Sequence, residues 1–288
     1  MLNNKKIKYF IDLGRFNKPL GGLLLAWPCT WGVALAKPEL NTLIFYNFLF
    51  IFSSFVMRGA GCAWNDIVDK NIDINIERTK NRPIAAKKLT IIDGLVFTIF
   101  TSIIGLITLL FLTKEAIIIS LISIPLLIIY PLTKRITFFP QIWLGVTFNI
   151  GLLIGYATIT KNYYSFSILL FYFGAILWTI AYDTIYAIQD YKDDKKHKIK
   201  STATIMNQFS GIFSGILYIM SHTLFIISFK IINLGLISII ITILIGAWQA
   251  YLAFKIKTDE PTQAFKGFKT SAICGGILSI SIIIDLYL

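Results

Sequence analysis

The sequence predicts an all-α, polytopic membrane protein, and three observations carry that prediction. Apolar runs long enough to cross a bilayer recur along the whole chain, and the mean hydropathy is +0.72. Charged residues make up 15% of the 288, well under the roughly 25% usual for soluble domains. Lysine and arginine alternate between rich and poor connections. A soluble fold with 56% hydrophobic residues would expose large adhesive patches, whereas lipid accepts such surface at about 20 apolar residues per helix. Helices are the expected form because backbone polar groups in lipid must pair within their own segment. The runs are too evenly apolar for the alternating strands of a barrel.

Nine spans follow in order from the apolar runs and the polar residues that interrupt them. The first, 19–36, succeeds a polar arm and stops at Lys37; the second, 42–64, stops at Asn65 and Asp66. Spans 91–113 and 115–132 are parted by Lys114, and the fourth stops short of Lys134 and Arg135. Spans 141–159 and 166–188 flank Lys161, and the sixth ends at Gln189 and Asp190. Spans 208–229 and 231–254 flank Lys230, and the last covers 268–288. Pro28 and Pro125 fall inside spans, where they are expected to kink the helix or sit against a neighbour. A single domain over 1–288 is expected.

The basic residues give an independent topology. The N-terminal arm holds five, the successive connections hold one, six, one, two, one, five, one and four (the last counting Lys269 at the edge of its span), and Arg58 inside the second span completes the 27. The rich side is cytoplasmic by the positive-inside rule. The expected protein is therefore a multi-pass bacterial inner-membrane protein with a cytoplasmic N-terminus, an outside C-terminus and an odd number of spans. Its net charge of +12 belongs to loops facing anionic headgroups, so no nucleic-acid partner is expected. The start, MLNNKKIKYF, lacks the early apolar stretch of a cleavable signal. Cys29, Cys62 and Cys274 have no CxxC spacing and read as small apolar fillers. His197 reads as loop surface and His222 as a polar residue packed between helices.

Eight of the 15 acidic residues fall in two short stretches: Asp66, Asp69, Asp73 and Glu77, then Asp183, Asp190, Asp193 and Asp194. Both lie at the cytoplasmic end of an even-numbered span. On a helix leaving the second span, Asn65, Asp69 and Asp73 share one face, with Asp66 beside them. In the second stretch Asp183, Tyr186, Asp190 and Asp194 share a face. Like charges so placed repel, and a divalent cation would remove the repulsion. Oxygen donors without histidine or cysteine favour a hard ion, Mg²⁺ first, which is typically held by one or two carboxylates and substrate phosphate oxygens. The pattern amide, Asp, two residues, Asp recurs in both stretches and suggests a duplication. Arg78, Lys80, Arg82, Lys134, Arg135 and Lys200 stand near the acids, as a diphosphate requires. Arg58 and Asp183 lie within spans on the faces of the two motifs. Charges at that depth normally face an internal cavity.

The segments RGAGCAWNDIVDKNID, ERTKNRPIA, YPLTKRITFFPQIWLG and AYDTIYAIQDYKDDKKHKIKSTA resemble the UbiA superfamily of intramembrane prenyltransferases, most closely its branch that prenylates 4-hydroxybenzoate for ubiquinone. The resemblance implies nine transmembrane helices around a central cavity, with Mg²⁺ and the diphosphate of a polyprenyl donor held between the two motifs. It makes Asn65, Asp69, Asp73, Asp190 and Asp194 metal-site residues, with Asp66 and Asp193 beside them. Catalysis is expected of Asp69, Asp73, Asp190, Asp194 and Arg135. Arg78, Arg82, Lys134, Arg135, Asp183, Tyr186 and Lys200 are expected to contact substrate, and Arg58 to meet the benzoate carboxylate. The implied reaction joins the prenyl group to the ring carbon ortho to the hydroxyl, with the isoprenoid tail running sideways into the bilayer.

Competing readings are a relative with another acceptor (homogentisate, dihydroxynaphthoate or haem) and a secondary transporter. Transporter sites lie near the bilayer midplane, whereas these aspartates gather at one membrane face.

Overall fold

The computed structural model describes residues 4–288, the Lys134 side chain excepted. The chain forms helices α1 (Asn4–Leu13), α2 (Leu20–Leu35), α3 (Leu40–Val68), α4 (Lys70–Asp73), α5 (Ile91–Ile107), α6 (Lys114–Ile136), α7 (Pro140–Thr160), α8 (Phe166–Ala187), α9 (Tyr191–Lys196), α10 (Thr202–Met206), α11 (Ser210–Ile231), α12 (Leu236–Lys255) and α13 (Pro261–Tyr287). Among the described residues there are no strands. Eight helices among the described residues are long and apolar enough to cross a membrane. The first expected span is α2, only 16 residues and so about 24 Å long. Several boundaries differ from the sequence reading: α3 runs on to Val68 rather than 64, and α6 to Ile136 rather than 132. The third span finishes in a 3-10 turn, Thr108–Phe111. The last helix begins earlier, at Pro261, because proline at the first helical position sacrifices only an N–H that would be unpaired anyway.

The core gathers where α2, α8 and α11 meet. The Trp31 ring packs edge-on against Phe171, Trp178 and Phe225, with centroids 5.7, 5.2 and 5.9 Å away. Its indole N–H donates to the Gly275 carbonyl at 3.1 Å, and Trp27 donates to Ala272 at 2.7 Å, tying α2 to α13. Cys29, Cys62 and Cys274 are all buried and unbridged. His222 is buried between helices with a ring nitrogen 2.8 Å from the Tyr218 carbonyl, and His197 is exposed. Both histidines sit as expected.

Helix α2 approaches α7 at glycines. A Cβ on Gly32 would lie 2.0 Å from the Leu152 carbonyl oxygen, and one on Gly155 would lie 2.3 Å from that of Cys29. Small residues let membrane helices gain van der Waals contact where no hydrophobic force between helices exists. Gly32→Ala is expected to cost about 1–3 kcal/mol by overpacking, read as a lower thermal midpoint in detergent. An unchanged midpoint would contradict this close approach.

Helix α5 packs on α3, and α6 on α7, while α5 and α6 scarcely touch. Leu95, Ile99 and Leu106 of α5 and Ile128 of α6 border this gap and are exposed. A cavity inside the bundle therefore has an apolar wall that opens sideways.

Candidate active site

Both acidic stretches fold as a long helix, a break and a short helix. After α3, Asp69 adopts φ −94° and ψ 5°, and α4 resumes at Lys70. After α8 a 3-10 turn spans Ile188–Asp190, and Asp190, with φ −103° and ψ 4°, precedes α9. The continuous helix expected through Asn65, Asp69 and Asp73, and through Asp183, Asp190 and Asp194, is thus interrupted in both motifs. The break relieves like-charge crowding along one face and turns successive aspartates toward different cations. The backbone turns alike at Asp69 and Asp190, but the repeated pattern pairs Asp190 with Asp66, so the two breaks fall at different positions of the repeat.

Arginines join the motifs. Arg78, from the segment after α4, donates through Nε and Nη2 to both oxygens of Asp190 at 2.7 and 2.5 Å, and through Nη1 to the Tyr186 hydroxyl at 2.9 Å. The backbone N–H of Glu77 donates to Asp193 at 3.0 Å. Arg82 donates to Asp73 at 2.8 Å and lies 3.2 Å from Asp66. Arg15, beyond α1, donates to both oxygens of Asp66 at 2.7 and 2.9 Å. Asp66, Asp69, Asp73 and Asp194 are buried. Burial pushes the Asp73 carboxyl up from its ordinary pKa, against the opposing pull of Arg82.

A cavity of about 1250 Å³ runs inward from this polar face. Asn65, Asp66, Asp73, Arg78, Arg82, Asp190, Asp194 and Lys200 line its mouth. Deeper lie Arg58, Tyr130, Phe148, Tyr182, Asp183 and Tyr186. The Arg58 guanidinium stands 5.7 Å from the Phe148 ring centre, and a Cβ on Gly21 would meet its Nε at 2.7 Å, so the missing side chain makes room for the cation. Its Nε is buried without a hydrogen-bond partner, and among the described residues no carboxylate pairs with it.

Asp69, Asp193 and Arg135 are not among the described residues lining the cavity. Arg135 donates to the Val68 carbonyl at 2.8 Å, and its Nη2 is 3.8 Å from Asp69. Lys200 lies over the Phe138 ring at 5.1 Å and donates to the Ile136 carbonyl. The side chain of Lys134, also expected to meet substrate, lies outside the described residues. Arg15 escaped the sequence reading because it sat among lysines that serve topology. Its one distinguishing mark was being the single arginine in that arm. Tyr130 and Phe148 carried no signal beyond aromaticity.

Among the described residues no three carboxylate, histidine or cysteine side chains close a metal cage alone. Mg²⁺ typically keeps several waters and takes phosphate oxygens beside one or two carboxylates. The donors at the mouth are oxygens of aspartate and asparagine, the chemistry a hard cation prefers.

A helical membrane bundle with paired aspartate motifs and arginines at the mouth of an apolar cavity has the architecture of an intramembrane enzyme. The model of the UbiA prenyltransferase family matches residues 25–273, and the chain belongs to that family. It is 34% identical to the 4-hydroxybenzoate octaprenyltransferase of Aliivibrio fischeri, over 98% of this chain and 97% of that protein. It is 41% identical to the mitochondrial 4-hydroxybenzoate polyprenyltransferase of Arabidopsis thaliana, where the match spans 69% of this chain and 49% of that one. The fold is similar to a UbiA homolog from Aeropyrum pernix, with TM-score 0.72 and 22% identity over 91% of this chain and 97% of that one. It is similar also to a UbiA homolog from Archaeoglobus fulgidus bound to GPP and Mg²⁺, with TM-score 0.70 and 14% identity over 97% and 100% of the two chains.

Proposed function

We propose that this protein transfers a polyprenyl group from a polyprenyl diphosphate to 4-hydroxybenzoate, at the ring carbon ortho to the hydroxyl, with Mg²⁺ as cofactor. The observation that carries the proposal is a single cavity with two unlike ends. Its mouth has aspartates and arginines suited to a metal-bound diphosphate, and its depth has Arg58, half-buried with an unpartnered Nε, suited to an aromatic carboxylate. The relatives named for 4-hydroxybenzoate prenylation, and the homologue bound to GPP and Mg²⁺, support the same reading.

Asn65, Asp73, Asp190 and Asp194 would hold the metal, with buried Asp69 behind them. Bound Mg²⁺ would supply positive charge against the diphosphate as the allylic C–O bond breaks. Arg78, Arg82 and Lys200 add fixed cations at the same mouth, and Arg135 and Lys134 belong to the same proposed basic set. Arg58 orients the acceptor by its carboxylate, leaving the ring toward the donor. The apolar walls keep water from capturing the allylic cation, and the tail leaves through the gap between α5 and α6. The ring then loses its proton to an aspartate of the site or to the released diphosphate, which departs as the second product, and Asp183 lines the same deep part of the cavity as Arg58. The motif face is taken as cytoplasmic and the membrane as a bacterial inner membrane.

Parallel assays of purified protein with one donor, Mg²⁺ and four acceptors test this. 4-Hydroxybenzoate is expected to react at least about tenfold faster per KM than homogentisate, dihydroxynaphthoate or haem, whose carboxylates stand at other distances and angles from the reacting carbon and so misplace it when held by Arg58. Preference for one of the others would overturn the acceptor assignment.

A further inference from the structure

Asp66 lines the cavity mouth beside Asn65 and is the carboxylate on which two arginines from separate segments, Arg15 and Arg82, converge. It is 1% exposed, and both its oxygens are taken by Arg15. Arg15 also donates through Nη1 to the carbonyls of Asp12 and Leu13, so one guanidinium closes the end of α1 and grips Asp66 at once. The platform beneath it is fixed. Leu13 is fully buried beside Ala63, Ile84 and Leu89, Phe10 stacks on Phe97, and Lys6 pairs with Asp93 at 2.9 Å. From Asp66 the chain of charges continues. Arg82 Nη1 lies 3.2 Å from Asp66 Oδ1 and 2.8 Å from Asp73 Oδ2.

We propose that Arg15 and Asp66 are positioning residues for the metal site: the pair orients Arg82, which holds one oxygen of Asp73 and leaves the other for the ion. The proposal rests on the metal-dependent reading above and deepens it. A planar guanidinium is required, because a lysine ammonium cannot bridge two carbonyls and both oxygens of a carboxylate together. Without Arg15, Asp66 would draw Arg82 toward itself, and Asp73 would lose its fixed orientation. Residues standing behind metal ligands typically govern affinity by about 10–100-fold.

The test measures Mn²⁺ binding by electron paramagnetic resonance, with inorganic diphosphate present, on full-length protein in detergent. Wild type is expected to bind and Asp73→Asn to lose binding. Arg15→Gln and Asp66→Asn should each weaken Mn²⁺ by about tenfold. The double variant should be no weaker than the worse single, because both remove one interaction. Arg15→Lys should recover part of the loss, with a thermal midpoint near wild type to show a folded protein. In turnover the half-saturating Mg²⁺ should rise in parallel, while kcat at saturating Mg²⁺ stays within about threefold, the mark of lost binding rather than lost chemistry.

Unchanged Mn²⁺ affinity in Arg15→Gln, with binding lost in Asp73→Asn, would sink the positioning role and spare the metal site. Multiplying effects in the double variant, or complete loss in Asp66→Asn alone, would equally overturn it, the latter making Asp66 a ligand. Wild-type protein that binds no Mn²⁺ would bring down the metal reading itself.

Discussion

Asp190→Asn is expected to lower prenyl transfer by about 10³-fold, equivalent to about 4 kcal/mol of transition-state stabilisation, while the protein still folds. Asp190 is the carboxylate through which the two motifs meet, since Arg78 grips both its oxygens from the other stretch. Asparagine keeps an acceptor oxygen for that arginine, so the loop stays docked. It removes the negative charge that a cation and a diphosphate require between them, and loss of one preorganised electrostatic group costs about 10²–10³ in rate. Turnover of a radiolabelled donor, together with thermal unfolding in detergent, separates the two effects. Excess EDTA should silence wild type to the same degree. Near wild-type turnover in the variant, or in EDTA, would remove the metal from the mechanism.

That interaction was only half legible in the sequence. The spacing of Asn65, Asp69 and Asp73, and of Asp183, Asp190 and Asp194, announced a crowd of like charges, and crowding calls for positive charge. A divalent ion was the answer read from composition. In the structure arginine supplies a share of it: Arg15 on Asp66, Arg82 on Asp66 and Asp73, Arg78 on Asp190. Periodicity along one helix cannot reveal this, because each partner comes from a separate segment. Arg15 is 51 residues from Asp66, and Arg78 is 112 from Asp190. The helix break at Asp190 was hidden for a related reason, since its partner Arg78 comes from the other stretch. The spans were readable because lipid imposes a length and an apolar character on each crossing helix. Even there α2 is a partial exception, being short and enclosed by its neighbours, with eleven buried residues named along it from Gly22 to Leu35.

Arg58→Gln is expected to raise the KM for 4-hydroxybenzoate by about 10–100-fold while the KM for the donor stays within about twofold. A hydrogen bond to a charged group contributes about 1.5–3 kcal/mol, and the guanidinium fork matches a carboxylate with two parallel bonds. The residue is poised for such a partner. It lies in a membrane helix, where an uncompensated charge is costly, yet among the described residues no carboxylate makes an ion pair with it. Its neighbours are the Phe148 face, Cys62, nearby tyrosines and, at longer range, Asp183. Retaining an unpaired charge at that depth makes sense where a ligand completes it. The same argument gives a stability prediction of opposite sign. Without acceptor, Arg58→Gln should unfold at or above the wild-type midpoint, because the substitution removes a desolvated charge. Adding 4-hydroxybenzoate should stabilise wild type and leave the variant unmoved. Phenol, which lacks the carboxylate, closes the cycle. Wild type should favour 4-hydroxybenzoate over phenol strongly, and Arg58→Gln should hardly distinguish them. Equal loss for both acceptors would instead make Arg58 a general electrostatic support for the cavity, and the acceptor carboxylate would have to be bound elsewhere.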